Sequence, residues 1–274
     1  MSIPLEDNVS DIVGKAQRGL GVSDSQLAER SGVSAEKIRK LREGTFDDDA
    51  VECVAPVLKL DAAALRKLAT GKWNPEAMGE IKGLAQFNTT YHDMTVNAYL
   101  IWDPTTREAV AFDTGADCGE MLQRIQTESL SVKLILLTHS HPDHVADLRR
   151  LRKATGAPVY ISELEEEEGA EEIVEGKRFR IGSLEIEARL TSGHSPGGMT
   201  YVVTGFSRPV AIVGDSLFAG SMGGGNVSYD DALRNNREKI LTLPDETIIC
   251  PGHGPLTTVG KEKRDNPFFA IHRR

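Results

Sequence analysis

The chain has 274 residues, 39% of them apolar and 27% charged, with a net charge of −9. That length suits one large or two unequal domains; no run approaches the about 20 apolar residues of a membrane span, and the acidic balance disfavours a general nucleic-acid or anionic-membrane surface while permitting a local one. Cys53, Cys118 and Cys250 are odd in number and far apart, which argues against a disulfide framework or a thiolate zinc cage. The first residues, Met-Ser-Ile-Pro-Leu-Glu-Asp-Asn, have neither the basic start nor the apolar core of a signal peptide, so the expected location is cytoplasmic.

Residues 1–72 read as a small all-α domain. Ser23 is placed to cap a helix carrying Leu27 and Ala28 that ends at Gly32, and Ser34 to cap a second carrying Ile38 and Leu41 that ends at Gly44. Two short helices joined by Ser31-Gly32-Val33-Ser34 make a helix-turn-helix pattern. From Gln26 to Leu41 the stretch resembles the Cro and phage-repressor class of DNA-binding domains. The second helix exposes Lys37, Arg39, Lys40 and Arg42, which could meet phosphates or base edges. Glu36 and Glu43 share that helix, Asp47, Asp48 and Asp49 follow it, and residues 1–72 hold eleven Lys plus Arg against twelve Asp plus Glu. A specific DNA reader usually has a clearer basic face. A protein-interaction or dimerisation module is therefore favoured over DNA binding, and a homo-oligomer stays open.

Lys72-Trp73-Asn74-Pro75-Glu76 breaks the helical run and marks a linker, with residues 73–274 as the second domain. There the texture changes to short strands. Met94 to Trp102 and Glu108 to Phe112 flank a turn at Asp103-Pro104-Thr105-Thr106, and the second strand ends in Asp113-Thr114-Gly115. Cys118 to Thr127 reads as a helix leading into a strand at 132–137, the alternation of a layered α/β domain.

That strand runs into Leu134-Ile-Leu-Leu-Thr-His-Ser-His-Pro-Asp-His144, an apolar run followed at once by metal-ligand side chains. In extended backbone His139 and His141 point to one side while Ser140 faces away. Pro142 suits the first turn of a helix, so Asp143 and His144 sit where the loop enters one, aimed at a second point close to the first. Three His and one Asp within six residues, in a chain with seven His, make a metal site the default. The helix is expected to continue through Asp147 to Thr155, with Arg149, Arg150, Arg152 and Lys153 on a solvated face. Glu163 to Glu175, including the run Glu165 to Glu168, reads as an exposed helix or loop without assigned chemistry.

Farther on, the pattern recurs. Phe179 to Ile181 and Leu184 to Leu190 form a hairpin whose second strand runs into Thr191-Ser-Gly-His194-Ser-Pro-Gly-Gly198; Met199 to Val203 follows. Pro209 to Val213 ends in Gly214-Asp215, and Thr247 to Cys250 ends in Pro251-Gly-His253. Four apolar strands thus each deliver one His or Asp just past their last apolar residue: His139, His194, Asp215 and His253. Strand mouths are where α/β folds place their sites. The Gly220-to-Asn226 loop reads as a flexible lid, a backbone contact to substrate or a plain surface loop. Tyr229 and Met222 are weak candidates for lining a pocket, His92 is more a loop residue than a ligand, Cys250 a buried small hydrophobe, and His272 has no assigned role.

His139-Ser-His141-Pro-Asp143-His144 with His194, Asp215 and His253 resembles the signature of the metallo-β-lactamase superfamily over about residues 80–270. The resemblance implies a four-layer αβ/βα sandwich with metals on one edge. It implies that His139, His141 and His194 hold one metal, Asp143, His144 and His253 a second, and that Asp215 bridges them. Zinc, two ions per chain, is the implied cofactor, with iron or manganese as alternatives. Gly193-His-Ser-Pro-Gly-Gly198 and the ending Pro251-Gly-His-Gly-Pro255 with Asn266-Pro-Phe-Phe269 are similar to short bacterial glyoxalase II. Ala146 and Asp147 replace the paired glycines often found there, and the long helical region that grips glutathione in larger enzymes is missing. The implied activity is hydrolysis of a small thioester or ester by a metal-activated hydroxide, with Asp143 orienting the nucleophile or passing its proton. The alternatives are a mononuclear iron persulfide dioxygenase, and a DNA-binding regulator with a metabolite-sensing metallo-hydrolase domain.

Overall fold

The computed structural model describes residues 3–270, and His272 lies outside the described residues. Local signals set the helical front end. Helix α1 (Val9–Leu20) opens on an Asn8–Asp11 capping box, and Gly21, left-handed at φ 62°, closes it. Ser23 caps α2 (Asp24–Ser31), Gly32 ends it at φ 71°, and Ser34 caps α3 (Ala35–Arg42). Asp47 and Asp61 cap α4 (Asp48–Val57) and α5 (Ala62–Ala69). Residues 72–80 that follow have no regular structure.

The remainder opens with β1 (Leu84–Tyr91), β2 (Met94–Trp102) and β3 (Glu108–Phe112), then α6 (Gly119–Thr127) and β4 (Ser131–Leu136). Next come α7 (Pro142–Val145), α8 (Leu148–Thr155), β5 (Val159–Ser162) and β6 (Glu171–Ile173). These six strands form one sheet in sequential order, antiparallel from β1 to β3 and parallel from β3 to β6. The second sheet holds β7 (Arg178–Ile181), β8 (Leu184–Leu190), β9 (Met199–Thr204), β10 (Val210–Gly214), β11 (Ile248–Pro251) and β12 (Thr257–Thr258) in the order β12-β11-β10-β9-β8-β7. Helices α9 (Tyr229–Asn235) and α10 (Val259–Asp265) belong with it. Strand β1 is unannounced in the sequence because Gln86, Asn88, Thr89 and Thr90 make it polar; it survives as an edge strand paired along its whole length with β2.

Residue alternation makes the layers. Tyr99, Ile101, Val110 and Phe112 of the first sheet face Tyr201, Val203, Ile212 and Cys250 of the second, while Leu100, Ala109 and Ala111 turn outward to Met121 and Leu151. In the second sheet Val202, Ala211, Val213 and Ile249 turn outward into a cluster shared with Tyr229, Val259 and the buried faces of α1 to α5. Both faces are covered along β2, β3, β9, β10 and β11, which is why these strands read as near-continuous apolar runs, whereas β7 and β8 nearer the edge keep exposed charged residues. The architecture is the four-layer αβ/βα sandwich, and the helical front end extends its outer layer through one continuous core. Among the described residues no helix is long and apolar enough to cross a membrane.

Two local expectations change. The helix after Pro142 is interrupted at Ala146-Asp147, because Asp147 accepts from Cys118 N (2.9 Å) and its own N–H donates to Thr114 Oγ1 (3.2 Å), pulling it off the helical path. The acidic stretch 163–175 is not uniformly exposed: it contains β6, and Glu165 within it is buried.

Candidate metal centre

At the rim where β4, β10 and β11 end, seven side chains gather. The ligand atoms of His139, His141 and His194 lie within 4.8 Å of one another, as do those of Asp143, His144 and His253, and those of His139, His144 and Asp215. Asp215 reaches both groups: Oδ2 is 3.4 Å from His194 Nε2 and 3.4 Å from His253 Nε2, and Oδ1 is 3.3 Å from His144 Nε2. Asp143 Oδ2 stands 3.3 Å from His253 Nε2 and 3.5 Å from His144 Nε2. His194 Nε2 is 3.1 Å from His141 Nδ1. The seven residues that the spacing and the resemblance single out are thus brought to one place.

Four of the imidazoles are aimed by what holds the other ring nitrogen. Asp113, buried at the mouth of β3 with φ 56°, accepts from His144 Nδ1 (2.9 Å) and from Thr138 N and Oγ1 (2.7 Å each). Since the Thr138 hydroxyl gives its only proton to Asp113, it accepts from His139 Nδ1 at 3.0 Å. Gly224 O accepts from His194 Nδ1 (3.1 Å) and Thr95 O from His253 Nδ1 (2.6 Å). Each Nε2 is left facing the common space. The His253 turn is strapped to β2: Asn97 Nδ2 donates to Pro251 O (2.9 Å) and Gly254 O (2.8 Å), and Tyr99 Oη donates to Pro251 O (2.7 Å).

Glu165 joins the two ligand loops. It accepts from Ser140 Oγ (2.6 Å) and Ser140 N (3.2 Å) beside His139 and His141, and from Gly197 N (2.8 Å) on the His194 loop. Gly197 has to be glycine there, because a Cβ would lie 2.7 Å from Glu165 Cγ and 2.6 Å from Ser162 Oγ. Asp113, Glu165, Asn97 and the two carbonyls carry no ligand signature. Asp113 alone shares a visible cue with Asp215, an Asp at the end of an apolar strand.

Burial opposes charge on His144, but Asp215 and then the hydrogen bond to Asp113 outweigh it and push the ring up to about 10. Burial likewise opposes charge on His253, yet Asp215 and Asp143 push it up to about 11. Asp215, although burial works against its ionisation, is held well below the usual carboxylate range by His253 and His144. Burial and the neighbouring His144 hold His139 well below the usual imidazole value. The carboxylates therefore demand positive charge at this point, and divalent cations would supply it with the rings neutral. His139 Nε2, His144 Nε2 and Asp215 Oδ1 are buried without a hydrogen-bond partner, so the donor set fits a metal better than it fits itself.

Other expectations are revised. In the Gly220-to-Asn226 loop a Cβ on Gly223 would lie 1.8 Å from Asp215 O and one on Gly225 2.5 Å from Tyr229 Cα, so these two glycines serve close packing. Tyr229 and Met222 are buried in the core shared with the helices rather than lining the site. His92 is exposed at the β1–β2 turn with φ 54°, and Cys250 is a fully buried core thiol.

The profile described as the metallo-beta-lactamase superfamily matches residues 93–253. The probable metallo-hydrolase YqgX of Bacillus subtilis (strain 168) is 33% identical over 199 residues, 63% of this chain and 92% of its own. The hydroxyacylglutathione hydrolase GloC of Haemophilus influenzae is 30% identical over 198 residues, again 63% and 92%. The crystal structure of the BLEG-1 B3 metallo-beta-lactamase superposes with a TM-score of 0.60 at 30% identity, covering 69% of this chain and 100% of that one. The family match begins beyond α1 to α5.

Proposed function

The chain belongs to the metallo-beta-lactamase superfamily, and from that premise we propose that it is a binuclear metal-dependent hydrolase of a small thioester or ester, glyoxalase II-like in its reaction. His139, His141 and His194 would hold one cation, Asp143, His144 and His253 the other, and Asp215 would lie between them. Zinc is the proposed metal, since neutral imidazoles and carboxylate oxygens are its usual donors. Two such ions, when bound, would supply Lewis acidity and lower the pKa of water toward neutrality. The observation that carries the reading is Asp215, within 3.4 Å of nitrogens from both groups.

The chain's own groups divide the remaining work. Asp143 keeps one oxygen against His253 and His144 and is more exposed than either ring, which places it to orient a water and take its proton. Asp113, Thr138, Thr95 and Gly224 hold the rings in one tautomer, so little reorganisation is needed when charge develops on a carbonyl oxygen. Neither a serine nor a cysteine nucleophile is required, in keeping with the buried Cys118 and Cys250.

The deciding experiment is a hydrolysis screen of lactoylglutathione beside simple lactones and phosphodiesters, on protein of measured metal content. Thioester turnover that rises with metal up to about two zinc per chain is expected. One iron per chain with oxygen uptake on glutathione persulfide, or a phosphodiester preferred over every acyl substrate, overturns the reading.

A further inference from the structure

The residues ahead of α1 lie against the metal centre. Gly254, next to His253 and at φ 77°, faces them so closely that a Cβ there would be 3.2 Å from Glu6 N and 3.6 Å from Pro4 O. Glu6 Oε2 is 4.0 Å from His253 Nδ1. Asp7 then turns inward, pairs with Lys15 on α1 and accepts from Ser221 Oγ. The pair is largely buried, with Lys15 13% and Asp7 7% exposed.

From this pair, contacts run to both halves of the centre. Lys15 Nζ donates to Met222 O (2.9 Å), at the start of the loop whose Gly224 O fixes His194. The same ammonium sits 4.9 Å from the centre of the Phe218 ring, and Phe218 meets His253 edge to face at 5.6 Å. His194 and His253 belong to different ligand groups, so one buried ion pair from outside the family-matched residues braces a ring in each.

We propose that Asp7 and Lys15 are positioning residues for the metal centre, and that the amino-terminal segment is a working part of the site rather than a detachable module. The inference rests on the binuclear reading above. A buried ion pair is a weak source of stability, because desolvating two charges cancels much of their attraction, and an apolar pair of similar size often serves folding as well. What an apolar pair cannot do is hold Met222 O and Ser221 Oγ by directed hydrogen bonds while placing a cation over Phe218. Loss of the pair would free the glycine loop to shift, and His194 with it.

The test uses the full chain as wild type, Lys15→Met, Lys15→Arg, Asp7→Asn and the Asp7→Asn/Lys15→Met double variant. Each is stripped, titrated with Co(II) against a chromophoric chelator, and followed by visible absorption, with melting of the stripped protein in parallel. The double variant should melt near the wild type yet bind cobalt at least about tenfold more weakly, with altered ligand-field bands, as expected when groups behind a metal ligand are lost. Lys15→Arg, keeping the charge and donors, should recover part of the affinity. A double variant with wild-type cobalt affinity and spectrum overturns the proposal. One too unstable to fold also counts against it, because the pair would then serve stability. Wild-type protein that binds no cobalt sinks the binuclear reading instead, so the two failures are distinct.

Discussion

On α3, Lys37 meets Asp47 at 2.8 Å, Arg39 meets Glu43 at 2.9 Å, Lys40 meets Glu36 at 2.8 Å, and Arg42 donates to Ser10 O at 2.9 Å. At the mouths of β4 and β10, by contrast, His139 Nε2, His144 Nε2 and Asp215 Oδ1 are buried without a hydrogen-bond partner. The first arrangement is what a solvated helix does with its charges, at little gain or cost. The second is expensive, about 1–3 kcal/mol for each orphaned group, and a fold keeps it only where something else satisfies those atoms. At this rim three such atoms converge on one space, which sets it apart from the scattered buried atoms without a partner at Gln17, Asn236 and Thr247.

The sharpest way to break that contrast is Asp215→Asn, which removes the one charge facing both ligand groups. Metal content should fall from about two per chain to one or fewer, and turnover by at least about 1,000-fold, the scale of losing a fixed transition-state charge stabiliser. Elemental analysis with steady-state assay checks it; retained metal and turnover would mean that Asp215 is not shared. Next in size is Glu165→Ala. It leaves Ser140 N and Gly197 N without their acceptor, for a loss of about 2 kcal/mol in denaturant melts, and should weaken metal affinity about 10- to 100-fold. Glu166→Ala, on an exposed neighbour in the same acidic run, should change neither.

Much of the candidate site was legible because several of its proposed ligands are strand-end residues, and strand ends are read from local runs: His139 after Leu134 to Leu137, Asp215 after Pro209 to Val213, His253 after Thr247 to Cys250. Helix caps at Ser23, Gly32 and Ser34 were legible for the same reason, since a cap acts within four residues. What escaped depends on partners distant in the chain. Nothing near Glu165 distinguishes it from Glu166 or Glu168; only the fold brings it to Ser140 and Gly197. Thr95 and Gly224 act through backbone carbonyls, which every residue has. Edge strand β1 gave no apolar alternation, and the glycines at 223 and 225 looked like freedom when they are close packing.

A smaller effect is expected from Glu262, which lies away from the metal rim. Burial pushes its carboxyl up to about 7 against the pull of hydrogen bonds from Thr257, Asn266 and Gly220. A folded value above the ordinary 4.5 means that its contribution is full below about pH 4.5 and is lost as pH rises through about 7. Glu262→Gln, whose amide can still serve Gly220 N and Asn266 while Thr257 reverses its hydroxyl, removes that titration. Its melting temperature relative to wild type should climb by about 2–5 °C between pH 5 and pH 8. A difference that stays flat across this window would mean that the carboxyl is charged throughout.

The smallest expected effect closes the comparison from the other side. Arg39→Ala with Lys40→Ala removes two exposed, intrahelically paired cations, and should leave melting temperature, metal content and thioester turnover unchanged. Fluorescence anisotropy with random-sequence duplex at low salt should show no association at micromolar protein for either form. The reason is that phosphate binding draws its free energy from cations that release counterions, and on α3 these cations already face carboxylates while Asp47, Asp48 and Asp49 stand just beyond. Salt-dependent binding by the wild type that disappears in the variant would show that α3 gives up its internal pairs to a polyanion. It would make the helical front end a reader after all, joined through Asp7 and Lys15 to the site behind it.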